Sequence, residues 1–118
     1  MKITIDYKFV SLNEYIQAER GNKFAAANIK SKETKAVEYY AVGMKWLKFP
    51  CKVIFTWHLS NKRKDLDNTS FARKFILDGL VKAEVIPDDN LKHIQGLEDR
   101  IIFDERDYVE VEFEEMEG

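Results

Sequence analysis

The run Cys51–Leu59 constrains the fold more than any other stretch of this sequence. Its side chains fall into two alternating sets: Cys51, Val53, Phe55, Trp57 and Leu59 in one, and Lys52, Ile54, Thr56 and His58 in the other. Successive side chains of a β-strand point to opposite faces of its sheet, and β-branched and aromatic residues favour strands. The run therefore predicts a strand with one apolar and one more polar face.

Further strands and helices are predicted on both sides of this run. Alternation of apolar and polar residues predicts strands at residues 2–9, at about residues 94–103 and at about residues 108–113. We expect the last two strands to pair as a hairpin. Apolar residues at helical spacing predict a helix over about residues 28–47 and another over about residues 67–83.

The segments between these elements carry turn and helix-stop signals. Phe49-Pro50 is expected to close the first helix, and residues 10–25 are expected to form a loop with a short helical turn. Residues 60–64 predict a basic loop, and Pro87-Asp88-Asp89-Asn90 predicts a turn or a helix start. No internal repeat and no linker divides the chain.

Length, composition and element order together predict an α+β fold. The 118 residues are 45% hydrophobic and 13% aromatic, which is enough for a core without disulfides. The order strand, helix, strand, helix, strand, strand predicts a small mixed β-sheet packed with two main helices. We expect residues 1–118 to form a single compact domain, whose strand order the sequence leaves open.

The sequence predicts a cytoplasmic protein. No apolar stretch approaches the roughly 18 residues of a membrane span, and the N-terminus lacks the apolar segment of a signal peptide. The single cysteine, Cys51, cannot form an internal disulfide, which favours a reducing compartment. We therefore expect no membrane partner. The chain also lacks a glycine-rich phosphate-binding motif, so no nucleotide cofactor is expected.

Charge is distributed unevenly along the chain. The overall net charge is −2, but residues 104–118 hold eight acidic residues and one arginine. The rest of the chain is basic, with a net charge of +5. The acidic segment is interpreted as a solvated strand edge with a frayed terminus, or as a DNA-mimicking or autoinhibitory element.

Two groups of aspartates stand out beside these basic residues. The first, Asp65-Leu66-Asp67-Asn68, follows Lys62-Arg63-Lys64, and the second is Asp88-Asp89. On a continuous helix from residue 67, Asp67, Lys74 and Asp78 would share one narrow polar stripe. Carboxylates that converge in a folded protein repel one another unless a cation compensates them.

This constellation predicts divalent-metal chemistry on phosphate. Mg²⁺ prefers carboxylate oxygens and can polarise a phosphodiester and activate a water, while a nearby lysine can neutralise developing negative charge. Each residue also has a structural interpretation: Asp67 as a helix cap, Asp88 and Asp89 as turn residues, and Lys74–Asp78 as an ion pair along a helix.

The motifs resemble those of a known nuclease family. Lys62-Arg63-Lys64-Asp65-Leu66-Asp67-Asn68, the later Asp78-Gly79-Leu80 and the closing Asp88-Asp89 are similar to the pattern of the RusA family of Holliday-junction resolvases. Ser11-Leu12-Asn13 is similar to the S-x-N segment of that family. These are small metal-dependent endodeoxyribonucleases that are common in phages and prophages. The resemblance covers most of the chain in order and spacing.

The resemblance implies roles for particular residues. Asp65, Asp67 and Asp89 would bind Mg²⁺, with Asp88 beside them and Mn²⁺ expected to substitute. Lys74 would take the place of the catalytic lysine, although three inserted residues move it by about one helical turn. The DNA-binding residues would be Lys62, Arg63, Lys64, Asn68 and Asn13.

The same resemblance implies a RusA-like fold, a homodimer and a four-way DNA junction as substrate. The expected function is therefore metal-dependent cutting of branched DNA in recombination and repair. The alternative is a catalytically inactive protein on the same fold that binds junctions or other DNA. A third possibility is an acidic interaction module whose C-terminal segment binds a partner protein.

Overall fold

Four strands and four helices make up the fold in the computed structural model, which describes residues 1–117. Gly118, the last residue of the predicted domain and of the acidic segment, lies outside the described residues. None of the helices in the described part of the chain is long and apolar enough to cross a membrane. The elements in chain order are β1 (Lys2–Ile5), α1 (Leu12–Gly21), α2 (Lys23–Ala41), β2 (Cys51–Leu59), α3 (Leu66–Ser70), α4 (Arg73–Lys82), β3 (Ile94–Phe103) and β4 (Tyr108–Glu115).

The four strands form one mixed sheet in the order β1-β4-β2-β3. Strand β2 runs parallel to β3 and antiparallel to β4, and β1 runs antiparallel to β4. The predicted hairpin between the last two strands is therefore wrong, because β2 lies between them. The turn after β3 passes the end of β2, where the Asp104 N–H donates to the Leu59 carbonyl at 2.9 Å. The α+β class and the mixed sheet are confirmed.

Strand β2 lies inside the sheet, and most of its side chains are buried on both faces. The face with Val53 and Phe55 packs into the core, as predicted. On the opposite face Ile54 and His58 are also buried, with exposures of 3% and 6%. His58 stacks on Tyr108 at 3.9 Å between ring centroids. Side chains of the neighbouring strands thus bury residues on the face of β2 that the sequence alternation predicts to be more polar.

The N-terminal region is more helical than predicted. Strand β1 ends at Ile5 instead of residue 9, and helix α1 and the start of α2 occupy most of residues 10–25, where a loop with a short helical turn was predicted. Ser11 caps α1: its hydroxyl accepts from the Glu14 N–H at 3.2 Å, and the Glu14 carboxylate accepts from the Ser11 N–H at 3.2 Å. This reciprocal capping box satisfies backbone donors that a helix start leaves unpaired. Asn22 then separates the two helices, and its side chain accepts from the Phe24 N–H at 2.8 Å.

Both predicted helices have different bounds in the structure. The first spans Lys23–Ala41 instead of about residues 28–47, so Phe49-Pro50 does not close it as predicted. Gly43 follows this helix with a φ of 77°, a backbone conformation that favours glycine. The second is divided into α3 and α4. At the division the Ala72 N–H donates to the Thr69 carbonyl, three residues back, at 3.4 Å. Because the chain winds more tightly at this point, the side chains of α3 and α4 do not continue on one face as they would along a single α-helix.

One hydrophobic core lies between the helices and the sheet. Helices α2 and α4 pack against each other where Gly79 faces Val37 and Thr34. The buried apolar side chains of the core are Ile3, Ile5, Val37, Ala41, Cys51, Val53, Phe55, Trp57, Leu59, Ala72, Ile76, Leu80, Val85, Ile86, Ile94, Val109, Val111 and Phe113.

Replacing Gly79 with alanine is expected to destabilise the protein by about 1–3 kcal/mol, the usual cost of overpacking a core. A Cβ at this position would lie 2.5 Å from the Val37 Cβ and 3.0 Å from the Thr34 carbonyl oxygen, so the two helices would have to move apart. Urea denaturation measures the change in the free energy of unfolding. The matched control is Gly21→Ala, since a Cβ there has no neighbour within 4 Å. Equal stability of the two variants would contradict this account of the packing.

Candidate functional site

The first aspartate pair lies at the start of α3. Asp65 occupies the N-cap position with extended backbone angles, φ −87° and ψ 147°, and its carboxylate makes no capping hydrogen bond. Asp67 lies in the first turn of the helix, and both side chains are exposed. The capping role considered for Asp67 therefore does not occur. Neither carboxylate is used as a cap at this helix start.

Asn68 joins this helix start to the N-terminal part of the chain. Its side-chain oxygen accepts from the backbone N–H of Asn13 at 2.9 Å. Asn13 is in the first turn of α1, where backbone N–H groups have no partner within the helix. The two segments that carried the family resemblance, 55 residues apart in sequence, are thus in direct contact.

The basic loop before Asp65 presents its three cations differently. The Lys64 ammonium lies 3.1 Å from a carboxylate oxygen of Asp107. Burial raises the pKa of Asp107, but hydrogen bonds from Ser60 and the ion pair with Lys64 outweigh this, so the pKa lies below its ordinary value. Lys62 lies over the Phe103 ring at 5.6 Å, and Arg63 is exposed. Lys62 and Arg63 thus face solvent more fully than Lys64.

The second aspartate pair lies at a depression beside α4. Lys30, Thr34, Asp78, Val81, Lys82, Asp88 and Asp89 line it. Asp88 holds the turn: its carboxylate accepts from the Asp89 N–H at 2.7 Å and from the Asn90 amide at 3.2 Å. Asp89 is exposed, but partial desolvation in the depression raises its pKa, as do its hydrogen bond with Asp88 and the charges of Asp78 and Asp88. The depression therefore concentrates negative charge, with two lysines at its edge.

The structure does not bring the two aspartate pairs into one cavity. Among residues 1–117, Asp65 and Asp67 are not part of the lining of the depression that holds Asp88 and Asp89. Nor does this part of the chain contain a group of three or more Asp, Glu, His or Cys side chains arranged to hold a metal ion. The carboxylate oxygens match the chemical preference of Mg²⁺, but the predicted three-aspartate site is not assembled in the single chain.

Arg73 and Lys74 begin α4 and have different surroundings. The Arg73 guanidinium lies 3.0 Å from a carboxylate oxygen of Asp99 on β3, and it also donates to the Ser70 carbonyl at 3.3 Å. The other oxygen of Asp99 accepts from the Trp57 indole N–H at 2.9 Å. Lys74 is exposed. Arg73 thus connects a helix to the sheet, whereas the Lys74 ammonium faces solvent.

Sequence reasoning missed Glu33, a carboxylate inside the fold. Its exposure is 1%, and one oxygen accepts from the Val10 N–H at 2.9 Å. In the described chain its other oxygen has no hydrogen-bond partner, and the same is true of the buried Thr69 hydroxyl. Glu33 precedes Val37 by four residues, so helical spacing places both on one face of α2. That spacing is the signal that could have revealed it.

No protein-family model matches the chain, and the search of curated proteins found no match. Function is therefore inferred from the residues of this chain. The strongest observations are the uncapped carboxylates at the start of α3, the basic loop before them and the contact between Asn13 and Asn68.

Proposed function

We propose that the chain is a metal-dependent endodeoxyribonuclease of the RusA type, which hydrolyses phosphodiester bonds in branched DNA, especially four-way junctions. The observation that carries the proposal is that Asp65 and Asp67 expose their carboxylates beside a basic loop. Helix capping does not explain the position of the Asp65 carboxylate, since this side chain makes no capping hydrogen bond. Binding of a metal cation that also contacts a DNA phosphate would explain exposed carboxylates beside a basic loop.

Mg²⁺ is the proposed cofactor, and Mn²⁺ should replace it. Asp65 and Asp67 would hold an ion at the start of α3. Asp89, on the turn that Asp88 fixes, lines a separate depression in the single chain, so its role as a ligand requires the two aspartate pairs to come together when two chains assemble on metal and DNA. The bound metal would polarise the phosphodiester and lower the pKa of the attacking water. The pKa of Asp89 is raised mainly by desolvation and by its hydrogen bond with Asp88, with smaller contributions from the charges of Asp78 and Asp88, and a bound cation beside Asp89 would lower it.

The remaining residues would bind and orient DNA. The exposed Arg63 and Lys62 would contact backbone phosphates, which positions a strand without reading its sequence. Lys64 would support the loop through Asp107 and add positive charge. The Asn13–Asn68 contact would fix the helix start that carries Asp67. Lys74 would neutralise charge that develops on the phosphate. These contacts make binding sensitive to salt.

The proposal includes a homodimer, as the resemblance implies. A four-way junction has approximate two-fold symmetry and is resolved by paired cuts on opposite strands. A symmetric dimer presents two identical sites to such a substrate.

The alternative function is DNA-junction binding without cutting. It is favoured by the separate surroundings of the two aspartate pairs in the single chain. A binder needs the cationic surface but not a shared metal site. The acidic-module interpretation instead predicts no affinity for junctions even at low salt.

A cleavage assay on a synthetic four-way junction tests the proposal. The protein is incubated with labelled junction in Mg²⁺, in Mn²⁺ or in a chelator, and a linear duplex of the same sequence serves as control. We expect paired cuts in the junction with either metal, none with chelator and little cutting of the duplex. A gel shift with every strand intact in both metals would favour the binder. The absence of both shift and cutting would overturn the proposal.

Lys74→Ala is expected to slow junction cutting by about 10²-fold, the usual loss when a charge-stabilising donor is removed from an active site. Thermal unfolding should hardly change, because Lys74 is exposed. Single-turnover cleavage rates and melting curves make the comparison.

Arg73→Ala is the matched control. It should lower stability and leave the cutting rate unchanged, whereas Lys74→Ala should lower the cutting rate and leave stability unchanged. Removing the guanidinium leaves the largely buried Asp99 carboxylate without its cation, which should cost about 1–3 kcal/mol of stability. Cutting should stay near the wild-type rate when it is measured at a temperature where the variant is folded and at a protein concentration where the variant is dimeric. If both substitutions slow cutting equally, the choice of Lys74 over Arg73 is wrong.

A further inference from the structure

Strand β3 is an edge strand with an unusual surface. It is ten residues long, and in the described part of the chain β2 is the strand that pairs with it. Its outer side therefore presents backbone N–H and C=O groups that can pair with another strand. The opposite edge, β1, has only four residues. Proteins usually protect long edges with charges, prolines or a covering element.

The side chains of β3 make this edge apolar. Leu97, Ile101, Ile102 and Phe103 have exposures of 45%, 36%, 46% and 53%. Leu97 and Ile101 lie opposite Val53 and Trp57 in the register with β2, so they belong to the face of the sheet that carries the core. The apolar face of the sheet that packs on the core thus extends to the β3 edge, where Leu97 and Ile101 are partly exposed to solvent.

We propose that the β3 edges of two copies of this chain pair antiparallel about a two-fold axis at Asp99, forming one eight-stranded sheet. In this register Leu97 lies opposite Ile101 of the second copy, and each of these exposed side chains gains an apolar partner. Directly opposite residues of an antiparallel pair are about 4.5–5.5 Å apart, close enough for such contacts.

The charges of β3 are complementary to themselves in the same register. Glu98 lies opposite Arg100 of the second copy, and the symmetry repeats the pair on the other side of the axis. Within one chain Glu98 already contacts Lys52 at 3.1 Å and also contacts Arg100. Pairing would extend these contacts into a network of alternating charges across the axis. Opposite charges that face each other across strands stabilise a sheet.

The aspartates at the axis do not oppose this arrangement. Asp99 of each copy would face its equivalent, but each is bound within its own chain by Arg73 at 3.0 Å and by the Trp57 indole at 2.9 Å. The guanidinium compensates the carboxylate before the two chains meet.

Neighbouring registers are less favourable. An axis at residue 98 would place Glu98 opposite its equivalent and Leu97 opposite Asp99. An axis at residue 100 would place Arg100 opposite its equivalent and Asp99 opposite Ile101. An axis between two residues would pair side chains from opposite faces and could not continue the sheet. The axis at Asp99 is the one among these that pairs apolar with apolar and acid with base.

The assignment adds an interface to the proposed function but does not rest on it. The contacts of the β3 edge involve neither DNA nor metal, so a chain that cuts no DNA would still be expected to form this pair. Mass and cleavage are therefore measured separately. A monomeric wild type would overturn the β3 interface and the proposed homodimer but not DNA cleavage itself, and loss of cleavage would leave the interface intact.

The mass of the full chain in solution is the first test. Sedimentation or light scattering should give the mass of two chains for the wild type and of one chain for Ile101→Lys, which places a charge in the apolar contact. The matched control is Tyr39→Lys, since Tyr39 on α2 is 74% exposed and lies outside β3. It should remain a dimer, and circular dichroism confirms that each variant is folded. A wild type that stays monomeric, or a folded Ile101→Lys variant that stays dimeric, would overturn the proposal.

Mixed disulfides test the register. In a Cys51→Ala background, Leu97→Cys chains are mixed with Ile101→Cys chains and oxidised. The mixture should form a covalent dimer, because opposite positions lie within the Cα spacing of a disulfide. Leu97→Cys alone should not, since its equivalent would lie four residues along the strand, about 13 Å away. Efficient bridging by Leu97→Cys alone, or none in the mixture, would contradict the axis at Asp99.

Discussion

Asp67→Asn is expected to abolish junction cutting while junction binding survives. The substitution keeps the size of the side chain but removes the negative charge that would hold the metal. We expect the single-turnover rate to fall by at least about 10²-fold, the scale on which loss of one charge-stabilising contact acts in enzymes. The affinity for a junction in a chelator should be unchanged, because Lys62 and Arg63 remain. Cleavage rates and gel shifts on the same junction measure the two effects.

A second aspartate provides the matched control for this experiment. Asp6 is exposed and pairs with Arg106 at 3.3 Å, and surface ion pairs of this kind contribute little to stability. Asp6→Asn should therefore cut at the wild-type rate. Asp67 is exposed as well, so Asp67→Asn should unfold at the wild-type temperature. Cutting by Asp67→Asn at the wild-type rate would remove this residue from the proposed site.

The sequence predicted the elements of the fold better than their arrangement. The bounds of β2 and β3 agree with the alternation, because period-2 patterning is a local property. The hairpin failed because strand order is decided by packing: the most apolar strand, β2, takes an interior position between β3 and β4. The capping box at Ser11 and Glu14 was visible in the sequence and could have revealed α1.

The candidate site was predictable as a set of residues but not as a geometry. Whether the Asp65 side chain caps α3 depends on local backbone geometry, which a residue pattern does not specify. The contact between Asn13 and Asn68 joins segments that are far apart in sequence. The polar stripe from Asp67 to Asp78 assumed one continuous helix, whereas the division at Phe71 and Ala72 interrupts it. The metal-binding role of the aspartates stays a prediction.

Glu33 should make the protein less stable as the pH rises towards neutrality. The pKa of Glu33 is raised from 4.5 to about 7. Burial is the main cause, the charge of Glu14 adds to it, and the hydrogen bond from Val10 partly opposes it. Between these two pH values the unfolded chain releases the proton while the folded chain keeps it. The contribution of the protonated carboxyl is therefore complete below about pH 4.5 and is lost by about pH 7. The shift corresponds to about 3 kcal/mol.

Glu33→Gln separates the effect of Glu33 from that of carboxylates whose contribution to stability is lost as the pH falls. Glu98 and Glu110 have lowered pKa values because of bonds to Lys52 and His58, respectively, so their contributions are lost as the pH falls. The glutamine carbonyl can still accept from the Val10 N–H but does not titrate. In urea denaturation, Glu33→Gln and the wild type should have similar free energies of unfolding near pH 4.5. At pH 8 the variant should be more stable than the wild type by up to about 3 kcal/mol. Glu19→Gln, an exposed control on α1, should follow the wild type throughout. A constant difference between Glu33→Gln and the wild type across this range would show that the buried carboxyl keeps its ordinary pKa.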